Sequence, residues 1–490
     1  MAEQSLKDKT VKGTIWSAAD AFLGQGVTFI VGLVLARLLS PEEYGLIGIC
    51  LIFSVILNGI VDSGFSNALI RKNECNDDDY NTMFLTNLFI SIVLFFLLFF
   101  TSPLISSFFN RDELTPLLRA TGSILIINAL SLTHTTILTK RIDFKTRTKA
   151  SLISAILSGL IGIVMAYMGC GVWSLAGQLI SKQLFYTLCL WFLVSWCPSF
   201  SFNIESFHYM WGFGWKLLLS GLLNNIWNQL YQVIIGKYYS PSTLGQYTRA
   251  NQFAGIFSEN LTVIIQRVSY PVLSAIRENQ QRMVSAFRKL IRMTMFVTVI
   301  FLFSLAGVSE SLIICLIGPK WSEAATYLPL ICITMSFYPL HAINLNMLQV
   351  IGRSDIFLYL EVAKKVIAIV PLVIGIFISV YWMLVASIVV GVISFFINSW
   401  YSGKRLGYTS WDQLRDIAPF YGLGIVLAIS LASIQLFNLN CWFTLCLQIL
   451  LGTILIVCIC RAFRMQEYTE LKTIIINKLK NYKQENEFDI

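Results

Sequence analysis

Long apolar stretches recur along almost the whole chain, from Trp16 nearly to Arg464, and only short polar turns separate them. A helix needs roughly 20 mostly apolar residues to cross the hydrocarbon core of a bilayer. The stretches are that long and lack the every-second-residue alternation of a β-barrel strand. They therefore predict an all-α membrane protein. Composition agrees: with 56% of 490 residues hydrophobic and 13% charged, there is too little polar surface to coat a soluble globule of this size.

Read in windows, the stretches predict about 14 transmembrane helices. They lie at 14–39, 44–70, 81–103, 116–139, 149–168, 172–195, 213–236, 244–273, 290–317, 325–350, 357–378, 381–401, 415–437 and 441–463. The first run follows a polar, lysine-bearing start and is too long for a secretory h-region, so it reads as an uncleaved signal anchor. Most of the 36 lysines and arginines fall on the side of the N-terminus, whereas the opposite side has Arg37, Arg111, Arg119, Lys237 and Lys320. The positive-inside rule then places both termini in the cytoplasm, as an even helix count requires. It also accounts for the net charge of +9 without nucleic acid, for which no basic, aromatic-rich soluble patch exists. After Arg464, Leu471, Ile474, Ile475 and Leu479 recur at helical spacing opposite Lys472, Lys478 and Lys480. This is read as a short amphipathic helix on the inner membrane face, with a solvated tail as the alternative.

The chain also repeats itself. The turn Arg37-Leu38-Leu39-Ser40-Pro41-Glu42-Glu43-Tyr44-Gly45 returns as Lys237-Tyr238-Tyr239-Ser240-Pro241-Ser242-Thr243-Leu244-Gly245. Arg141 with Asp143 matches Arg353 with Asp355, and Trp173 matches Trp382. Six helices repeat in parallel, which predicts two six-helix lobes around a central cavity where transporters of this architecture bind substrate. The expected division is 1–200 and 201–408 for the lobes, 409–463 for helices 13 and 14, and 464–490 for the cytoplasmic tail. Trp196 to Gly212 is then the connection between halves, with His208 a loop residue.

Polar residues inside the spans are the candidate site. Asn224, Asn228 and Gln232 lie four apart, with Asn225 and Gln229 beside them. Arg249, Gln252, Glu259 and Arg267 share one helix face. An ionised residue at a span centre costs about 2.5–3.5 kcal/mol on the insertion scale, so such a stripe requires either a hydrated cavity or tight pairing. The first reading makes it a cationic cavity for an anionic group, and the second a salt-bridged packing face neutralised by Glu259. Asp62, below Asn58 and Ser54, and Asp20 are candidates to carry a coupling proton or sodium, with ordinary helix-end carboxylates as the alternative. Lys182, Lys216, Lys364 and Lys365 either line the cleft or snorkel, and His134 and His341 are expected to be hydrogen-bonded in the bundle. Most cysteines, among them Cys50, Cys189, Cys315, Cys332, Cys446 and Cys458, lie in apolar runs without metal-ligand spacing and are expected to be packing residues. No metal, cofactor, catalytic nucleophile–base pair or phosphate-cradling loop is expected.

Leu39-Ser40-Pro41-Glu42-Glu43-Tyr44-Gly45 and Asp62-Ser63-Gly64-Phe65-Ser66 resemble motifs of the Wzx-type polysaccharide flippases. So do Gly245, Tyr247, Arg249 and Ala250, Tyr270-Pro271, Gly318-Pro319-Lys320-Trp321 and Gly352-Arg353-Ser354-Asp355. The resemblance implies membership of the multidrug, oligosaccharidyl-lipid and polysaccharide exporter superfamily, near its colanic-acid exporters, in a bacterial inner membrane. It implies a polyprenyl-linked oligosaccharide flipped to the periplasmic leaflet by alternating access, for O-antigen or exopolysaccharide assembly, beside polymerase machinery. On this reading Arg249 and Arg267 offset the charge of a pyrophosphate or acidic sugar, and the amides of helix 7 bind hydroxyls. The rivals are a cation-coupled multidrug antiporter of the same superfamily, against which the arginines argue, and a membrane-embedded sugar polymerase, against which the short loops argue.

Overall fold

The computed structural model describes residues 24–437, 439–473 and 476–477, which form helices and, among the described residues, no strand. In chain order they are α1 Gln25–Leu38, α2 Pro41–Asp62, α3 Phe65–Arg71, α4 Asp77–Phe109, α5 Leu114–Lys140, α6 Phe144–Tyr167, α7 Val172–Leu193, α8 Ile204–Tyr238 and α9 Pro241–Ala275. They continue as α10 Gln280–Gly307, α11 Ser309–Ile317, α12 Ser322–Met335, α13 Tyr338–Val350, α14 Ser354–Ile367, α15 Ile369–Phe377, α16 Val380–Leu406, α17 Ser410–Ser433 and α18 Cys441–Ala462. Nine helical segments among the described residues are long and apolar enough to cross a membrane. Five expected spans lie outside that set: 14–39, described from residue 24 and holding the shorter apolar helix Gln25–Leu38, and the helical 172–195, 213–236, 244–273 and 357–378. They carry the amides and charges singled out above.

Bilayer contact shows in what is left exposed. Along α4, Phe89, Phe96, Leu97, Phe100 and Leu104 point outward, with Phe100 71% exposed. Water would not tolerate such a belt on a monomeric surface.

The chain divides into two compact units, Met1–Thr248 and Arg249–Ile490. The division falls within α9, later in the chain than the boundary of the sequence repeat, because α8 packs on α2, α3 and α4. The stretch expected to be a free connection is anchored too: Ser199 and Asn203 are tied by their backbone N–H groups to Asn81 and Thr82 of α4. His208 belongs to α8, whose helix begins at Ile204.

In the second unit, Phe287, Ile291, Met295 and Val299 of α10 form a four-residue stripe against Ile417, Phe420, Leu423 and Leu427 of α17. At the N-terminal end of this pair, Asp416 is buried and accepts two bonds from Arg288, at 2.6 and 2.7 Å, and one from Tyr408 at 2.7 Å. Arg292 reaches both Asp416, at 3.3 Å, and the buried Glu467, at 2.5 Å. Glu467 lies in a short helix over 466–473 that follows α18, and Met465, Tyr468 and Leu471 pack on the same core. The described start of the tail is thus docked on the protein by ion pairs and apolar contacts. The rest of the amphipathic pattern lies outside the described residues apart from 476–477. Cys315 is a correction to the sequence reading, because it is disulfide-bonded to Cys441 with Cα atoms 5.8 Å apart. Nothing in the spacing of two cysteines 126 residues apart marks them as partners.

The repeated turns meet each other. Ser40 caps α2 in a box with Glu43, and Ser240 accepts from the Thr243 N–H at 3.1 Å, so each Pro occupies the first helical position where its missing N–H costs nothing. A β-carbon on Gly45 would lie 1.7 Å from the Pro241 carbonyl oxygen, and one on Gly245 1.9 Å from that of Pro41. Backbone touches backbone, and neither carbonyl can retreat without moving its helix. We expect Gly45→Ala or Gly245→Ala to cost at least about 1–3 kcal/mol through overpacking. Gly48→Ala, whose added carbon meets only the side chains of Leu244 at 3.5 Å and Thr248 at 3.7 Å, serves as the near-neutral control. Thermal unfolding of the detergent-solubilised chain checks this; equal midpoints for all three variants would contradict it.

Candidate functional site

A break in the second predicted span sets up the polar interior of the first unit. Ser63 and Gly64 both take left-handed backbone conformations, φ 50° and 71°, ending α2 and starting α3. Gly64 is needed twice, for its φ and because a β-carbon there would lie 2.7 Å from the Gly214 carbonyl oxygen. The break brings Ser66 back over Asp62, to which it donates at 2.5 Å, and Thr136 of α5 donates to Ser66 at 3.0 Å. Asp62 is therefore held by the Ser66 hydroxyl, itself positioned by Thr136, with no salt bridge among the described residues.

One turn back along α2, Asn58 accepts from Asn128 at 2.8 Å, and Gln183 of α7 donates to Asn128 and Ser131, each at 3.2 Å. Lys182 turns inward to donate to Thr28 of α1 at 3.1 Å, so it does not snorkel. These residues make a layer of amide and hydroxyl bonds that ties together α1, α2, α3, α5 and α7. In hydrocarbon each such group must find a partner within the protein.

The amides of α8 behave differently. Asn224 and Asn228 are exposed and Gln232 is half-buried, while Asn225 lies over Gly59 of α2. Asp20 lies outside the described residues.

In the second unit, α9 carries the charged stripe. Arg249 is buried and donates to Gln252 at 2.5 Å, a neutral partner. Glu259 and Arg267 are exposed, and no salt bridge among the described residues involves either. Glu259 therefore does not neutralise Arg267. At 1.5 Å per residue, Arg249 and Arg267 stand about 27 Å apart along the helix, too far to grip one phosphate group together.

Three features of this unit escaped the sequence reading. Asn344 donates to Gln413 at 3.1 Å and accepts from Ser402 at 2.6 Å, cross-linking α13, α16 and α17. The Asp416 cluster is the second. The third is a cavity of about 560 Å³ lined chiefly by apolar residues of α10, α12 and α17, with Glu310, Ser322, Thr326 and Gln435 among its polar groups. His341 bonds Asn398 at 3.3 Å, in line with expectation. His134 is fully buried between Trp191 and Trp196 at ring distances of 5.4 and 5.3 Å. Lys364 pairs with Glu361 at 2.5 Å, and Lys216 stays exposed beside Trp215.

Residues 34–326, more than half of the chain, match the family described as "Polysaccharide biosynthesis protein". The chain is 24% identical over 359 residues to the teichuronic acid biosynthesis protein TuaB of Bacillus subtilis (strain 168), covering 72% of this chain and 74% of that protein. It is 24% identical over 376 residues to the lipopolysaccharide biosynthesis protein WzxC of Escherichia coli (strain K12), covering 76% of each. The fold matches the solved structure of the lipid II flippase MurJ in an inward closed conformation with a TM-score of 0.73, at 16% identity, over 94% of this chain and 99% of that one.

The amide layer predicts its own cost of disruption. Asn128→Ala removes the donor to Asn58 and the acceptor for Gln183, and leaving buried polar groups short of partners costs about 1–3 kcal/mol. Ser123→Ala, which loses only a bond to the carbonyl of Ala120 in its own helix, should be close to neutral. The difference is measurable as a lower thermal midpoint for Asn128→Ala, and the same midpoint for both would show that the layer does not hold the unit together.

Proposed function

The chain belongs to the polysaccharide biosynthesis protein family, and from that premise we propose that it is a flippase for a polyprenyl-linked oligosaccharide, carrying it from the cytoplasmic to the periplasmic leaflet of a bacterial inner membrane. It is a multi-pass membrane transporter and not an enzyme. The names of its relatives support the substrate class, since TuaB and WzxC both serve surface-polymer biosynthesis. The charge asymmetry supports cytoplasmic termini.

One observation carries the mechanism: Arg267 on the α9 stripe is exposed, with no salt bridge to Glu259 among the described residues, and Arg249 on the same helix holds Gln252. A polyprenyl phosphate headgroup is anionic and hydroxyl-rich, while its tail can remain in lipid. The protein has only to shelter the head. Arg249 with Gln252 and Arg267 stand about 27 Å apart, comparable to the hydrocarbon thickness, so they serve the headgroup in succession as the binding region opens to one leaflet and then the other. The α8 amides Asn224, Asn228 and Gln232 are the groups offered to sugar hydroxyls. Among Glu259, Asp62 and Asp20, Asp62 is the favoured carrier of a coupling H⁺ or Na⁺, because the Ser66 hydroxyl orients its carboxylate and no basic side chain among the described residues is salt-bridged to it. No other cofactor enters this reading, and the partners it implies are the lipid-linked substrate, membrane lipids and the polymerase that consumes the product. A multidrug antiporter would favour carboxylates over guanidinium groups on this stripe.

Charge-assisted hydrogen bonds are worth about 1.5–3 kcal/mol, or roughly 10- to 100-fold in an equilibrium constant. In a cell that depends on this chain for surface polysaccharide, Arg249→Gln and Arg267→Gln should each lower export about tenfold or more and leave the lipid-linked intermediate on the inner leaflet. Arg267→Lys should retain part of the activity. Unchanged export by the double variant, at equal protein level, would refute the assignment.

A further inference from the structure

We propose that the Cys315–Cys441 disulfide is made on the extracytoplasmic side of the membrane and fastens the last transmembrane helix to the second unit. Cys315 lies in the final turn of α11 and is buried, while Cys441 opens α18. Their Cα separation of 5.8 Å is within the range of natural disulfides. No other cysteine among the described residues is paired.

Position in the membrane supplies a second argument that owes nothing to thiol chemistry. Cys315 precedes the turn Gly318-Pro319-Lys320-Trp321, and Cys441 follows the uncharged stretch 433–440. The basic loops put both turns on the side away from the cytoplasm, and disulfides persist in such oxidising compartments. This step rests on the orientation proposed above. Bond formation removes two protons and two electrons from the two thiols. A dithiol–disulfide oxidase of that compartment accepts them, its own disulfide opening to two thiols through a mixed-disulfide intermediate.

The bridge answers a weakness in α18. Few of its residues are buried, and Phe443, Ile449 and Leu450 are each about 60% exposed. One side-chain bond, from Gln448 to the Leu431 carbonyl at 2.8 Å, joins it to α17. At its far end the chain is secured by the Arg292–Glu467 pair just beyond the helix. The disulfide secures the near end, so α18 is pinned at both ends and moves with the second unit. Closing a loop of this length also removes much of the freedom of the unfolded chain.

The test uses the full-length protein. Membranes are denatured in N-ethylmaleimide without reductant and digested, and the peptides are analysed by mass spectrometry. A linked Cys315–Cys441 peptide that separates on reduction is expected, and maleimide on both cysteines would overturn the bridge. Glu323→Cys, at an exposed position near the same turn, should react with a membrane-impermeant maleimide in intact cells. Labelling only after permeabilisation would overturn the orientation and leave the disulfide to be judged by the first result. Dithiothreitol should lower the thermal midpoint of the solubilised wild type to that of Cys315→Ser/Cys441→Ser and leave the double variant unmoved. An unmoved wild type would contradict the stapling role.

Discussion

The carbonyl oxygens of Pro41 and Pro241 occupy the space where Gly245 and Gly45 would otherwise carry side chains. The rest of the first unit takes its register from that contact. With the N-terminal ends of α2 and α9 pressed together, the phase of α2 is set, and five turns later Asn58 and Asp62 face α5 and α7. The same contact fixes where α9 starts, and therefore where Arg249 falls along it. A repeated turn chemistry thus becomes a symmetric clasp, with each proline stopping one chain segment and each glycine admitting the other.

Polar groups in this membrane protein are handled in three ways. In the first unit, amides and hydroxyls satisfy one another, which costs little and specifies helix positions. At the base of α10 and α17, buried carboxylates are paired: Asp416 accepts four bonds, from Arg288, Arg292 and Tyr408, and Glu467 accepts one from Arg292, so removal of the arginines would strand a buried charge. On α9 the pattern differs, since Arg267 and Glu259 remain exposed. The exposed guanidinium of Arg267 is the group that the proposed mechanism offers to a charged ligand.

Much of this was legible in the chain. Apolar run length gave the helices, and the Ser-Pro-x-x-x-Gly turns gave the repeat, because helix stops and starts depend on local backbone chemistry that a sequence displays directly. Asp62 with Asn58 was visible as a polar edge on an apolar helix. What the sequence concealed was long-range: Asn128 with Gln183, Asn344 with Gln413, Arg288 with Asp416, and Cys315 with Cys441 each unite residues that only tertiary packing makes neighbours. The break at Ser63–Gly64 was missed for another reason, as hydropathy runs straight through it.

Translocation itself can be measured in purified proteoliposomes holding a fluorescent polyprenyl-pyrophosphate oligosaccharide, with an impermeant quencher reporting the fraction in the outer leaflet. The account predicts that the protein moves labelled lipid between leaflets many times faster than empty vesicles do, and that an acidic competitor headgroup slows it. Exchange no faster than in empty vesicles, in a preparation that instead accumulates lipophilic cations, would contradict it.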